Sequence, residues 1–252
     1  MPKSHRDCIK GWKRLMPDWQ FVRWDERNFP IDYCAYTQEA YRQGRYAFVA
    51  DVARLYALYT QGGIYLDTDV ELLQPLDRFL DDRFFTAIER YYKFEEDHIA
   101  EQYLHEDGSP INPDQDVPNM EILTSTIGSE KGHPLLSTLI GFYSSIQTEA
   151  GSNLRQSVVF DRLVARSLVP CGFKYKDETQ HLSDGIVIYG TGLFGYAHSP
   201  NPDYSVSYHY NTATWDQDGW SLGRRLALKS DELGVRHLYE RVRKIKKRLC
   251  NR

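Results

Sequence analysis

The chain has 252 residues, 41% of them hydrophobic and 13% aromatic, with a formal net charge of −4. That is enough to build one sizeable core, and no run of about eighteen apolar residues is present to cross a membrane as a helix. Four scattered cysteines without a CxxC are not a disulfide framework, and MPKSHRDCIKGW lacks the apolar stretch of a signal peptide, so the expected compartment is reducing and cytoplasmic.

Residues 3–16 are expected to be a helix capped by Ser4, with Cys8, Ile9, Trp12, Leu15 and Met16 on one side. A short strand is expected at 20–24 and a helix at 33–43, ended by Gly44. Residues 46–61, YAFVADVARLYALYTQ, are the clearest helix, apolar around most of the circumference and stopped by the left-handed signal of Gly62-Gly63. Strands follow at 64–67, 70–73 and 84–88. Residues 89–118 are acidic and rich in turn formers, and suggest a loop with a short helix near 99–105. A strand at 122–127, helices at 134–146 and 158–168, and late strands at 185–189 and 205–208 complete the pattern. A helix, a tight turn and an apolar strand imply a single α/β domain over 1–234 with a mostly parallel central sheet.

GGIYLDTDVELL, residues 62–73, sets two carboxylates, Asp67 and Asp69, at a strand end straight after the glycine pair. Strand alternation would point both the same way and Thr68 the other. Side by side they repel unless a cation lies between them, and strand ends of open α/β sheets are where ligands bind. Mg²⁺ and Mn²⁺ take such oxygens together with substrate phosphates. A DxD is short enough to arise by chance. IYLDTDVEL also resembles the first motif of haloacid-dehalogenase phosphatases, whose first Asp is a nucleophile. That motif opens its domain, whereas about a quarter of this chain precedes it and no later acidic motif with a lysine partner is found.

Asp51 and Arg54 are the charges of the apolar helix and share a face at i and i+3. Two readings stand: an ion pair tying helix to sheet, or a donor site in which Asp51 accepts sugar hydroxyls and Arg54 meets a sugar or phosphate oxygen.

Taken together, Asp51, Arg54, Gly62, Gly63, Tyr65, Asp67 and Asp69 match a [SA]D-x-x-R, GG-x-Y-x-D-x-D pattern. Residues 46–73 thereby resemble the core of the DXD-containing sugar-transferase family. That family takes in capsular-polysaccharide and lipopolysaccharide glycosyltransferases and outer-chain mannosyltransferases, with the clostridial glucosylating toxins as distant relatives. IGSEKGHPLL at 127–136 is similar to its KGHP segment, and VSYHYNTATW at 206–215 to its late xHHxxxSW segment, with Tyr208 and Thr214 as departures. The resemblance implies a GT-A-like fold, here without the opening strand that relatives carry ahead of the first helix. It also implies a metal-dependent, retaining hexosyl transfer from a UDP- or GDP-hexose, with Mn²⁺ or Mg²⁺ on Asp67 and Asp69. The acceptor would be a surface polysaccharide or a lipid-linked glycan. A catalytically inactive nucleotide-sugar-binding relative is the alternative.

His209 is a candidate third metal ligand or a core histidine, and Trp215 a lid on the nucleotide or a packing residue. Asn119 stands where relatives carry an Asn near the sugar. His133 is expected to set the helix start with Pro134, and Glu71 to be solvated or salt-bridged. The tail, residues 235–252, has eight Lys/Arg and one Glu, against 23 Lys/Arg and 34 Asp/Glu in the rest of the chain. An acidic body argues against general nucleic-acid binding. The tail, with Leu238, Val242, Ile245 and Leu249 in a stripe, is expected to form a basic amphipathic helix on an anionic membrane surface, which would make the protein peripheral to the cytoplasmic face.

Overall fold

The computed structural model describes residues 2–90, 100–151, 153–154, 159–195 and 204–210. Five α-helices are described: α1 (Lys3–Leu15), α2 (Ala35–Arg42), α3 (Tyr46–Gln61), α4 (Pro134–Ser145) and α5 (Phe160–Leu168). The strands are β1 (Gly63–Leu66), β2 (Val70–Leu72), β3 (Phe84–Arg90), β4 (Met120–Ile122), β5 (Thr126–Ser129), β6 (Gln180–His181), β7 (Ile186–Tyr189) and β8 (Ser207–His209). None of the described helices is long and apolar enough to cross a membrane.

The architecture is mixed α/β and consistent with a GT-A-like single domain, but the expected mostly parallel sheet is corrected. In the central sheet, ordered β1-β5-β3-β7-β6 with β4 also on β3, the one parallel pair among the described residues is β3 with β7. The α3-turn-β1 unit suggested a parallel neighbour for β1. Its partner is instead β5, which runs back along it from Gly63 opposite Ser129 to Leu66 opposite Thr126. A second sheet pairs β2 with β8, antiparallel.

Side-chain alternation on β3 divides the core in two. Phe84 and Ile88 pack with α2 to α5 through Tyr36, Leu55, Leu139, Tyr143 and Leu163. Phe85 and Ala87 face a smaller cluster of Cys8, Trp12, Val70, Leu76 and Phe194, with α1 as its lid. α1 starts without a side-chain cap, so Ser4 does not play the part expected of it, and residues 20–24 form no strand. α4 begins as expected: His133 is its N-cap, Nδ1 accepting from the Leu135 amide at 3.2 Å, with Pro134 behind it. The short helix of the acidic loop is present as a 3₁₀ turn at Ala100–Tyr103.

Two departures from the expected elements shape the site. The single strand expected over 122–127 is two strands interrupted by a bulge. β3 pairs Phe85 with Gly128 but Ile88 with Ile122, so the partner carries three more residues than β3 between these points. Thr86 fills the gap, its hydroxyl 2.5 Å from the Leu123 carbonyl and 3.0 Å from that of Thr126. Bulges of this kind re-aim the backbone beside functional sites. The second departure is that β1 ends at Leu66, so Asp67, Thr68 and Asp69 form a tight turn, closed by the Val70 amide on the Asp67 carbonyl at 3.0 Å. Both aspartates reach one side by a turn, not by strand alternation.

Candidate functional site

The turn is held from three directions. The Asp67 amide donates to the Ser125 carbonyl of the bulge at 2.8 Å. The Tyr210 amide donates to the Asp69 carbonyl at 3.1 Å, from the chain just after β8. From α1, His5 Nδ1 lies 3.0 Å from the Thr68 hydroxyl, and Trp12 Nε1 donates to the Val70 carbonyl at 2.8 Å. The β2–β8 register sets His209 opposite Val70, one residue past Asp69. His209 Nε2 then lies 3.3 Å from an Asp69 oxygen and 3.8 Å from an Asp67 oxygen. Ligand-type atoms of all three residues fall within 4.8 Å of one another.

Arg54 forms the other half. Its guanidinium lies 3.2 Å from Asp51 and 3.7 Å from Asp67, and donates to the Thr124 carbonyl of the bulge at 2.6 Å. It stands over the Tyr65 ring at 4.7 Å and the Phe160 ring at 5.4 Å. Tyr65 in turn donates its hydroxyl to Asp67 at 2.6 Å. Asp51 and Arg54 form the expected ion pair and are joined to the DxD through Asp67.

Residues 2–86 match the family model described as glycosyltransferase sugar-binding region containing DXD motif. The match covers about a third of the chain and supports its resemblance to the DXD-motif sugar transferases. The match runs from α1 into β3 and includes Asp51, Arg54, Asp67 and Asp69. No curated protein matches the chain.

Burial and neighbouring charge oppose one another in this site. Desolvation pushes the Asp51 carboxyl up to about 7 against the opposing pull of Arg54, with Asp161 and Asp67 adding to the rise. Arg54 is held charged, burial being outweighed by Tyr65, Asp67, Asp51 and Asp161 around it. For His209 burial favours the neutral ring, but the Asp69 hydrogen bond and the two aspartate charges raise its pKa overall.

Three acids that the sequence reading did not single out complete the surroundings. Asp161, in the first turn of α5, accepts the Thr124 hydroxyl at 2.6 Å. Glu121 on β4 is paired with Arg162 at 2.6 Å, and Glu89 on β3 lies directly opposite Glu121. An acid in the first turn of a helix reads as an ordinary helix-start residue, so sequence offered no signal for Asp161. Thr124 and Ser125 were equally hidden, because their carbonyls, not their side chains, hold Arg54 and Asp67.

Asn119 precedes β4, with a left-handed backbone at φ 66°. Glu71 accepts a hydrogen bond from the Tyr210 hydroxyl. Trp215 and the tail at 235–252 lie outside the described residues.

Proposed function

We propose that the chain moves a hexose from a UDP- or GDP-linked donor to a glycan or lipid-linked glycan acceptor, with retained configuration and with Mn²⁺ or Mg²⁺ bound. The convergence of Asp67, Asp69 and His209 beside the Asp51–Arg54 pair carries this reading. The donor set fits a divalent cation: two carboxylates closely spaced, with an imidazole Nε2 turned toward them. A mixed oxygen and nitrogen set suits Mn²⁺ better than Mg²⁺, which prefers oxygen alone.

A cation held by Asp67, Asp69 and His209 supplies neutralisation of the diphosphate leaving group. The chain's own residues do the rest. Asp69 is the firmest ligand, its backbone pinned by Tyr210 and its side chain nearly buried. Asp67 is fixed by Tyr65 and Arg54, so the metal-facing oxygens need little reorganisation on binding. Asp51 accepts hydroxyls of the donor, and Arg54, aimed by Asp51 and the Thr124 carbonyl, faces its sugar or phosphate oxygens. Asn119 and Trp215 would add contacts to sugar and nucleotide. Retention needs no protein nucleophile if attack comes on the same face as departure. The basic tail would hold the enzyme at the cytoplasmic membrane face, near a lipid-linked acceptor.

Thermal-shift and donor-hydrolysis assays with UDP- and GDP-hexoses, with Mn²⁺ and with EDTA, test the reading. Stabilisation and slow hydrolysis that appear only with metal are expected. Nucleotide-sugar affinity unchanged in EDTA overturns it.

A further inference from the structure

Glu89, next to the last residue of β3, is a carboxylate for which the described residues supply no counterpart. Glu89 is 6% exposed and directly opposite Glu121 in the β3–β4 ladder, and no hydrogen bond or ion pair reaches its side chain among the described residues. Like charges directly opposite on a sheet repel, and a carboxylate taken out of water is costly without donors. Glu121 is relieved by Arg162, and Asp161 by the Thr124 hydroxyl. Glu89 has neither device, and the charges acting on it are those of Asp161, Glu121 and Asp67.

A second polar group, beside Asp67, is also unused. Ser125, whose carbonyl holds the Asp67 amide, keeps a hydroxyl that is buried and without a partner. Ser125 is thus held against Asp67, whose charge also acts on Glu89. A metal does not account for Glu89, since its carboxylate is not part of the Asp67–Asp69–His209 group. A phosphate is disfavoured by the surrounding negative charge. A neutral ligand rich in hydroxyl donors fits, because one carboxylate can accept two neighbouring hydroxyls.

We propose that Glu89 accepts hydroxyls of the transferred hexose, with Ser125 as a second contact, so that the site selects donors with free vicinal hydroxyl groups. This rests on the nucleotide-sugar reading above and assigns the sugar end of that site. Glu89 is held on a core strand, whose Phe84, Phe85 and Ile88 are buried, so its position is rigid before the ligand arrives.

The test is equilibrium binding of UDP-glucose and GDP-mannose, each against UDP and GDP, with Mn²⁺, to the full chain as wild type, Glu89→Gln and Glu89→Ala. With whichever nucleotide binds the wild type, Glu89→Ala should weaken the sugar nucleotide roughly ten-fold or more and leave the free diphosphate unchanged. Glu89→Gln, keeping one acceptor oxygen, should lose less and melt at or above the wild type, since the repulsion with Glu121 is relieved. Equal losses for sugar nucleotide and free nucleotide, no loss for either, or a Glu89→Gln protein melting well below the wild type overturn the assignment of Glu89 alone. A wild type that binds none of the four ligands with Mn²⁺ overturns the donor-site reading as well.

Discussion

His209 presents its Nε2 to an Asp69 oxygen at 3.3 Å, although β2 and β8 are separated by most of the domain. The pairing of Val70 with His209 makes this contact, and the adjacent bond from Tyr210 to the Asp69 carbonyl locks it. With both aspartates on one tight turn, the three side chains behave as one unit.

Removing Asp69 should therefore abolish metal-dependent binding without unfolding the protein. Asp69→Ala is expected to lose Mn²⁺-dependent stabilisation by a nucleotide sugar, and His209→Ala to weaken it roughly ten-fold or more. Calorimetric titration of Mn²⁺ in the presence of UDP or GDP measures both. Full metal affinity in Asp69→Ala would show that the cation binds elsewhere.

Arg54 and Asp51 should separate function from stability. Asp51→Asn keeps the shape and removes one charge from a site with an acidic surplus, so turnover should fall by orders of magnitude with little change in melting temperature. Arg54→Lys cannot reproduce the contacts to Asp51, Asp67 and Thr124 or the approach to two rings, and should be nearly inactive. Wild-type turnover together with a sharply lowered melting point in Asp51→Asn would make the pair structural only.

The acids around β3 give the metal-free protein a pH dependence of definite sign. Burial, reinforced by Glu121 against the Thr124 hydroxyl, raises Asp161 from 3.8 to about 6, and burial with its acidic neighbours raises Glu89 as well. A carboxyl whose pKa is higher folded than unfolded binds protons on folding, so stability falls as pH rises from about 4 to about 6 and beyond. For Asp161 the loss is on the order of 3 kcal/mol. Denaturation in EDTA at pH 5 and 7.5 should find the wild type weaker at 7.5 and Asp161→Asn less sensitive. A wild type more stable at 7.5 would contradict this.

Much of this arrangement was legible in the chain. α3 and its glycine stop, the DxD, Asp51, Arg54 and His209 all stood out, because a buried helix with two charges and a carboxylate pair are local and chemically conspicuous. The backbone's part was not. Whether 67–69 is strand or turn depends on where β1 meets β5, and the 123–125 bulge depends on the register of β3 against a partner about forty residues away. The antiparallel order was equally non-local: an apolar four-residue strand does not say which way its neighbour runs.

Gly62 should prove more demanding than a helix stop. Its φ of 74° and ψ of −170° lie in a region open essentially to glycine, and an added Cβ would stand 2.8 Å from the Lys131 backbone nitrogen. Gly62→Ala is expected to cost roughly 1–3 kcal/mol and to weaken metal binding by shifting β1. An unchanged denaturation midpoint would refute the close contact.

The basic tail is testable by co-sedimentation. With each Lys or Arg near an anionic surface contributing roughly 1 kcal/mol, the chain should bind phosphatidylserine vesicles in a salt-sensitive way and ignore neutral ones. Deleting residues 235–252 should abolish the difference. Equal, negligible binding to both vesicle types would leave the tail without this role.

The β2–β8 ladder also bears on synthesis. A ribosome delivers the DxD when about a quarter of the chain is made, but His209 emerges only after the central sheet has been completed. A nascent or prematurely ended chain thus carries the aspartates without their third partner. Competence to grip a cation, and with it the nucleotide, would arrive late and abruptly, when β8 closes on β2. Incomplete products would then hold manganese, and compete for donor sugar, only weakly.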